Sequence, residues 1–272
     1  MIKRLPDYAV SGDSDTTVFL LHGAYGCKDY FRPLTATLVQ AGYRVVAWDA
    51  PGYGLSPLPA EGLSIEYLAE AAARLIEHTG GRRNVVMGHS MGGITAPLVT
   101  RLAGDRVHGL VVSATLGSFA RKSAQDKVTF LEERIAPLKR GVPFRTAAES
   151  VVRSMFAPGS AGPLVDLVRE VALSMSADTF CAAIEAIVNY DGLQTMREVS
   201  VPALLIAGAQ DKVGRPEGMR ELTAVIPGAR FVCIEGAGHY AFAEQPDAFN
   251  AALLPFLAEC VAGGHRDAQV RA

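Results

Sequence analysis

Near-continuous apolar runs alternate along the chain with longer stretches in which apolar residues recur every three or four positions. VFLLHG (18–23), YRVVAWD (43–49), NVVMGHS (84–90), VHGLVVSAT (107–115), ALLIAGAQD (203–211) and RFVCIEGAGH (230–239) each end at a glycine-containing or polar turn. Their unbroken apolar character predicts parallel strands buried on both faces. Helical patterns lie between them at 30–41, 64–79, 92–103, 216–226 and 246–262. This alternation predicts an α/β fold, a mostly parallel, doubly wound sheet. Right-handed crossovers would bring the C-terminal ends of the strands to one edge.

One interval breaks the rhythm. Residues 117–197 carry helical patterns near 121–138, 146–156, 162–175 and 178–190, broken at Pro137, Gly141-Val142-Pro143 and Pro158-Gly159, with no convincing strand. Strand patterns resume at 203, which excludes a separate C-terminal helical domain. The division expected is therefore a core of residues 1–116 and 198–272 with a helical cap, 117–197, over the sheet edge. The chain shows no internal repeat.

Composition narrows the function classes. The 272 residues are 49% hydrophobic and 20% charged, the profile of a soluble globular protein. Lys and Arg total 26 against 28 Asp and Glu, and neither sign forms a long block, so nucleic acid and anionic lipid are not expected partners. No apolar run approaches the ~18 residues of a membrane span, and Pro6 and Asp7 interrupt any secretory signal. Cys27, Cys181, Cys233 and Cys260 are scattered, without a CxxC pair or a His at metal-ligand spacing. Reduced thiols in the cytoplasm and no metal are the expectation, with Cys233 a small core residue.

The stretch GHSMGG places glycines two before and two after Ser90, with Gly93 following, between a strand pattern and a helix pattern. A serine on so sharp a turn takes strained backbone angles, and side chains at 88 and 92 would clash. The turn would present the Ser90 hydroxyl at the C-terminal edge of the sheet, with the Met91 amide aimed at whatever bonds to it.

A nucleophilic serine needs a base, and the base an orienting acid. His78 ends a surface helix, His108 opens a strand and His265 lies in the polar tail, and all three read as solvated. His22 suits local turn bonding, and His89 should point away from the hydroxyl beside it. His239, in GAGHY after the last strand, lies on the predicted edge of Ser90. Asp211 ends the preceding strand run; as a post-strand Asp it also reads as a turn residue or helix cap, a reading that Pro216 supports. The order Ser90, Asp211, His239 is that of hydrolases with this elbow. A second oxyanion donor would come from HGAYG (22–26), where the Ala24 amide pairs with that of Met91.

Together HGAYG, DAPGYGLS (49–56), GHSMGG, AGAQD and GAGHY, in this order, resemble the α/β-hydrolase fold family across nearly the whole sheet region. The resemblance implies a serine hydrolase with a Ser90–His239–Asp211 triad and neither metal nor organic cofactor. It also implies two antiparallel N-terminal strands, for which only the run around Tyr8 to Val10 is available. In DAPGYGLS, Asp49 and Ser56 are read as bonding locally within a structural turn. Members with an aspartate nucleophile, the haloalkane dehalogenases and epoxide hydrolases, are excluded by Ser90. Carbon–carbon bond hydrolases often carry Asn before the serine and HGxGPG in the first loop, where this chain has His89 and HGAYG. Enol-lactonases commonly have Leu at the His89 position, and cofactor-free haloperoxidases share the triad. Receptors built on this fold normally lose a triad residue, whereas all three are present here. A dinucleotide site would need GxGxxG, and GYGLSP breaks off after two glycines.

The expected reaction is hydrolysis of a small to medium, largely apolar carboxylic ester through an acyl-enzyme, with enol-lactone or C–C bond hydrolysis as the alternative. Candidate pocket residues are Tyr25 and Tyr240 beside the triad loops, with Phe119, Phe130, Met155, Phe156, Met175 and Phe180 from the cap. No cluster of arginines marks the loops around the triad for a charged substrate, and Lys28, Lys212 and Arg215 are expected at the surface.

Overall fold

Seven strands form one sheet in the computed structural model, which describes residues 4–119 and 121–270. In chain order they are β1 (Tyr8–Ser11), β2 (Thr16–Leu21), β3 (Arg44–Trp48), β4 (Arg83–His89), β5 (Gly109–Ser113), β6 (Ala203–Gly208) and β7 (Arg230–Ile234). Their spatial order is β1-β3-β2-β4-β5-β6-β7, and every neighbouring pair is parallel except β1 with β3. Leu21 stands opposite Gly88, Met87 opposite Val111, Val112 opposite Leu205 and Ile206 opposite Val232. This register brings the C-terminal ends of β2, β4, β6 and their neighbours to one edge.

The six apolar runs all become strands, and each strand ends before the last residue of its run because the terminal glycines and polar residues turn. The central strands β2, β5 and β6 are buried at every residue, as unbroken apolar runs require. Edge strand β7 departs from that expectation, and Cys233 on it is half-buried rather than in the core. Of the two antiparallel N-terminal strands expected, the described residues contain one, β1.

Helices α1 (Arg32–Gln40), α2 (Ile65–Thr79) and α3 (Met91–Ala103) connect β2, β3, β4 and β5 in turn. In α2 the apolar face packs inward, and the Ser64 hydroxyl caps its N-terminus by accepting the Tyr67 N–H at 3.0 Å. Between β5 and β6 run α4 (Ala124–Lys139), α5 (Phe144–Met155), α6 (Pro163–Ala172), α7 (Ala177–Asn189) and α8 (Leu193–Arg197). Four of these match the predicted helices; α8, five residues long, is too short to show a periodicity. Pro137 lies inside the last turn of α4 instead of ahead of its end. The C-terminal part holds α9 (Pro216–Leu222), α10 (Ala241–Glu244) and α11 (Pro246–Val270). Among the described residues no single helix is long and apolar enough to cross a membrane.

Candidate active site

Ser90 sits between β4 and α3 at φ 54°, ψ −114°, a region that costs a non-glycine residue about 1–3 kcal/mol. The surroundings hold it there. Its N–H donates to the Ser113 carbonyl at 2.9 Å, and its carbonyl accepts from the Thr115 hydroxyl at 2.7 Å. A Cβ at Gly88 would collide with the Gly92 carbonyl, and one at Gly92 with the Leu21 carbonyl, so both glycines are sterically required. The sharp strand-to-helix turn expected from GHSMGG is present, with the Ser90 side chain facing a cavity.

His239 and Asp211 meet at the same edge. The loop after β6 carries Asp211 and the loop after β7 carries His239; their side chains are buried and joined by a 2.8 Å bond between His239 Nδ1 and Asp211 Oδ2. Burial alone would raise the Asp211 pKa. The His239 charge and bond, with the Val213 and Gly214 amides at 2.7 and 3.0 Å, outweigh it and hold the carboxyl below its ordinary range. The Asp211 contacts are thus both those of a turn residue and those of an imidazole partner. His239 Nε2 has no partner among the described residues, and no hydrogen bond joins it to Ser90. Such bonds often tighten only when substrate is bound. The His239 ring lies 4.9 Å, centroid to centroid, from that of His89, the neighbour of Ser90.

The loop HGAYG is locked against this edge. His22 Nδ1 donates to the Gly23 carbonyl at 2.8 Å while its Nε2 accepts the Ala50 N–H at 2.9 Å. Burial, against the Gly23 bond, pushes the His22 pKa down to about 4, so the ring is neutral. The Tyr30 hydroxyl accepts the Gly23 N–H at 2.6 Å, and Tyr53 donates to the Ala24 carbonyl at 3.1 Å. The Ala24 and Met91 amides have no acceptor among the described residues, and both residues line the cavity with Ser90. Two N–H donors without acceptors thus stand beside the Ser90 hydroxyl.

The cavity is small, about 50 Å³. Of the predicted pocket residues, Tyr25, Met155 and Phe130 line it. Phe119, Phe156, Phe180 and Tyr240 do not; they form a second layer. Phe119 packs on Phe130 at 4.3 Å, Phe180 on Tyr25 at 4.5 Å, and Phe156 on Tyr240 at 5.0 Å between ring centroids. The Tyr240 hydroxyl is turned to Met155 Sδ, 3.6 Å away. Met175 likewise packs against the core from outside the lining. Residues that the sequence pattern did not single out complete the wall: Ile94, Thr115, Arg134, Ile184 and Val213 among them. For Arg134 a signal existed, since it falls four positions after Phe130 on one helix face.

Residues 16–246 match the sequence profile of the alpha/beta hydrolase fold. The chain belongs to the α/β-hydrolase fold family. It is 25% identical over 252 residues to 3-oxoadipate enol-lactonase 2 of Acinetobacter baylyi, covering 91% of each chain. Polyketide synthase ThaQ of Burkholderia thailandensis is 26% identical over 91% of this chain, which spans only 12% of that protein's length. A thermophilic esterase from Thermogutta terrifontis, solved malate bound, superposes with a TM-score of 0.83 at 25% identity over 93% of both chains.

In this α/β hydrolase, two further networks brace the edge. The Glu244 carboxylate accepts the Gly238 and Tyr240 amides at 3.1 and 3.0 Å, and the Ala157 amide and Ser160 hydroxyl at 2.7 and 2.6 Å. The His239 N–H donates to the Met155 carbonyl at 2.7 Å. The His239 loop is thereby tied to the α5–α6 connection. The second network corrects an expectation. Lys28 is not a free surface cation: its ammonium bonds Asp7 at 2.6 Å and also the buried Asp49, and its side chain is 20% exposed. Burial alone would lower its pKa, but the two carboxylates hold it above its ordinary range. Ser56 donates to the Asp49 carbonyl at 2.7 Å, the local bond DAPGYGLS predicts, yet it also accepts the Asp7 N–H at 2.7 Å. Lys212 and Arg215 are exposed, as is His78. His108 is half-buried instead of solvated, with Nδ1 accepting the Asn84 amide at 3.3 Å. The His265 side chain lies outside the described residues. Among the described residues no group of three His, Cys, Asp or Glu is placed to hold a metal.

Proposed function

We propose that this α/β hydrolase cleaves a carboxylic ester through an acyl-enzyme on Ser90. The observation that carries the reading is the 2.8 Å His239–Asp211 bond at the edge where a serine is held at φ 54°. In this scheme His239 Nε2 takes the Ser90 proton as Oγ attacks the ester carbonyl. Asp211 keeps the Nδ1–H tautomer and stabilises the imidazolium, and its lowered pKa supports an ionised carboxylate in that role. The Ala24 and Met91 amides receive the oxyanion. His239 then protonates the leaving alkoxide and activates the water that releases the acid.

Helices α4 to α8 act in this reading as a cap, supported by the α4, α5 and α7 residues that share the cavity with Ser90. A lactone is an internal ester opened by the same steps, so enol-lactone hydrolysis is the second reading, supported by the enol-lactonase relative. The four free cysteines support a cytoplasmic location. A fluorophosphonate probe tests the nucleophile. It is expected to add to Ser90 in the native protein and not to label Ser90→Ala; labelling that persists in the variant would place the nucleophile elsewhere.

A further inference from the structure

Among the described residues, Arg134 on α4 is the one charged side chain that lines the cavity containing Ser90. Its side chain is 15% exposed. The guanidinium carbon sits 3.8 Å over the Phe130 ring centroid, so one face of the fork rests on an aromatic ring that also lines the cavity. Only Nη1 finds acceptors: the Phe130 carbonyl at 3.5 Å and Glu133 Oε2 at 3.4 Å. Glu133 is 64% exposed, and both contacts are long. Nε and Nη2 have no acceptor among the described residues. A guanidinium has five N–H donors in a planar fork, and a largely buried one is costly unless an anion meets it. The rest of the lining is apolar or neutral.

We infer that Arg134 binds a carboxylate on the acyl portion of the substrate. The inference rests on the ester-hydrolase reading of Ser90 and names the substrate class for it. The acyl portion is assigned because it stays bonded to Ser90 while the alcohol must leave before water enters. A small cavity beside Ser90 therefore suits the part that stays. A carboxylate matches the guanidinium fork with two parallel hydrogen bonds. The substrate is thus the half-ester of a short dicarboxylic acid, or a lactone that carries a second carboxylate, in place of the largely apolar substrate expected from the loops around the triad.

The test uses monoethyl malonate, succinate and glutarate, each paired with the neutral ester in which ethyl replaces the carboxylate: ethyl butanoate, pentanoate and hexanoate. For the best pair, Arg134→Met should lower the anionic-to-neutral ratio of kcat/KM at least tenfold. A smaller change, including an equal fall for both esters, would overturn the assignment and leave the hydrolase reading standing. Should wild type cleave none of the six esters, the decision passes to calorimetric binding of malonate, succinate and glutarate to Ser90→Ala. Tenfold or greater weakening of the tightest diacid in Ser90→Ala/Arg134→Met would uphold the anion site while the ester reading falls. No diacid binding, or binding indifferent to Arg134, would sink the anion site.

Discussion

His89 is fully buried with neither ring nitrogen hydrogen-bonded among the described residues, between the rings of His239 at 4.9 Å, Phe242 at 5.2 Å and Tyr240 at 5.3 Å. It points away from the cavity, as its place beside Ser90 requires. Burial, first, pushes its pKa well below the ordinary value, and the neighbouring His239 and His22 add to the shift in the same direction. The sign of the linkage follows. His89 is neutral in the fold while the unfolded chain gains a proton near pH 6.5, so its contribution is fully present above that pH and is lost as pH falls toward the folded-state value. His22 acts in the same direction down to about 4. Urea unfolding is therefore expected to need less denaturant at pH 5 than at pH 7.5. His89→Leu should flatten the dependence by up to one proton, about 1.4 kcal/mol per pH unit. An unchanged slope in the variant would mean that the His89 ring does not titrate on unfolding.

At the level of elements, strand positions were legible because burial on both faces writes an unbroken apolar run, and the placement of Ser90, His239 and Asp211 at one sheet edge was readable because each ends such a run. The pocket wall was not legible. Whether Phe130 reaches the cavity depends on how α4 is rotated over the sheet, and periodicity fixes only the apolar face of a helix, not what that face meets; Phe119 and Phe156 lie in the turns before α4 and after α5, where no periodicity applies. Arg134 was passed over, although it shares a face of α4 with Phe130, because it lies far in sequence from the loops around Ser90. The Glu244 network was invisible because a four-residue helix leaves no pattern, and its partners Ala157 and Ser160 are remote in the chain. Its consequence is testable. Glu244→Ala removes an acceptor shared by the His239 loop and the α5–α6 connection, a loss of about 3 kcal/mol if two charge-assisted bonds go unmade. Hydrogen exchange should quicken at the Ala157, Gly238 and Tyr240 amides, and kcat on the best ester should fall at least tenfold. Exchange confined to wild-type rates would show that the loop holds its place without the carboxylate.

For the molecule as a whole, the roof leaves only about 50 Å³ over Ser90. So little space beside the nucleophile favours a short acyl chain over a long one. Neutral p-nitrophenyl esters should accordingly show kcat/KM highest at short acyl lengths and at least tenfold lower by the octanoate; a profile rising through octanoate would mean that α4 to α8 open widely. Those helices leave the sheet at Ser113 and return at Ala203, about 90 residues later, yet β5 and β6 are direct neighbours in parallel register. A parallel crossover needs only about a dozen residues. The roof therefore departs and re-enters through adjoining doorways of a sheet whose pairing does not depend on its length. Under the proposed reading, recombination between relatives would exchange one roof for another without shifting the register of any strand, and substrate choice would be inherited separately from the bond-breaking edge.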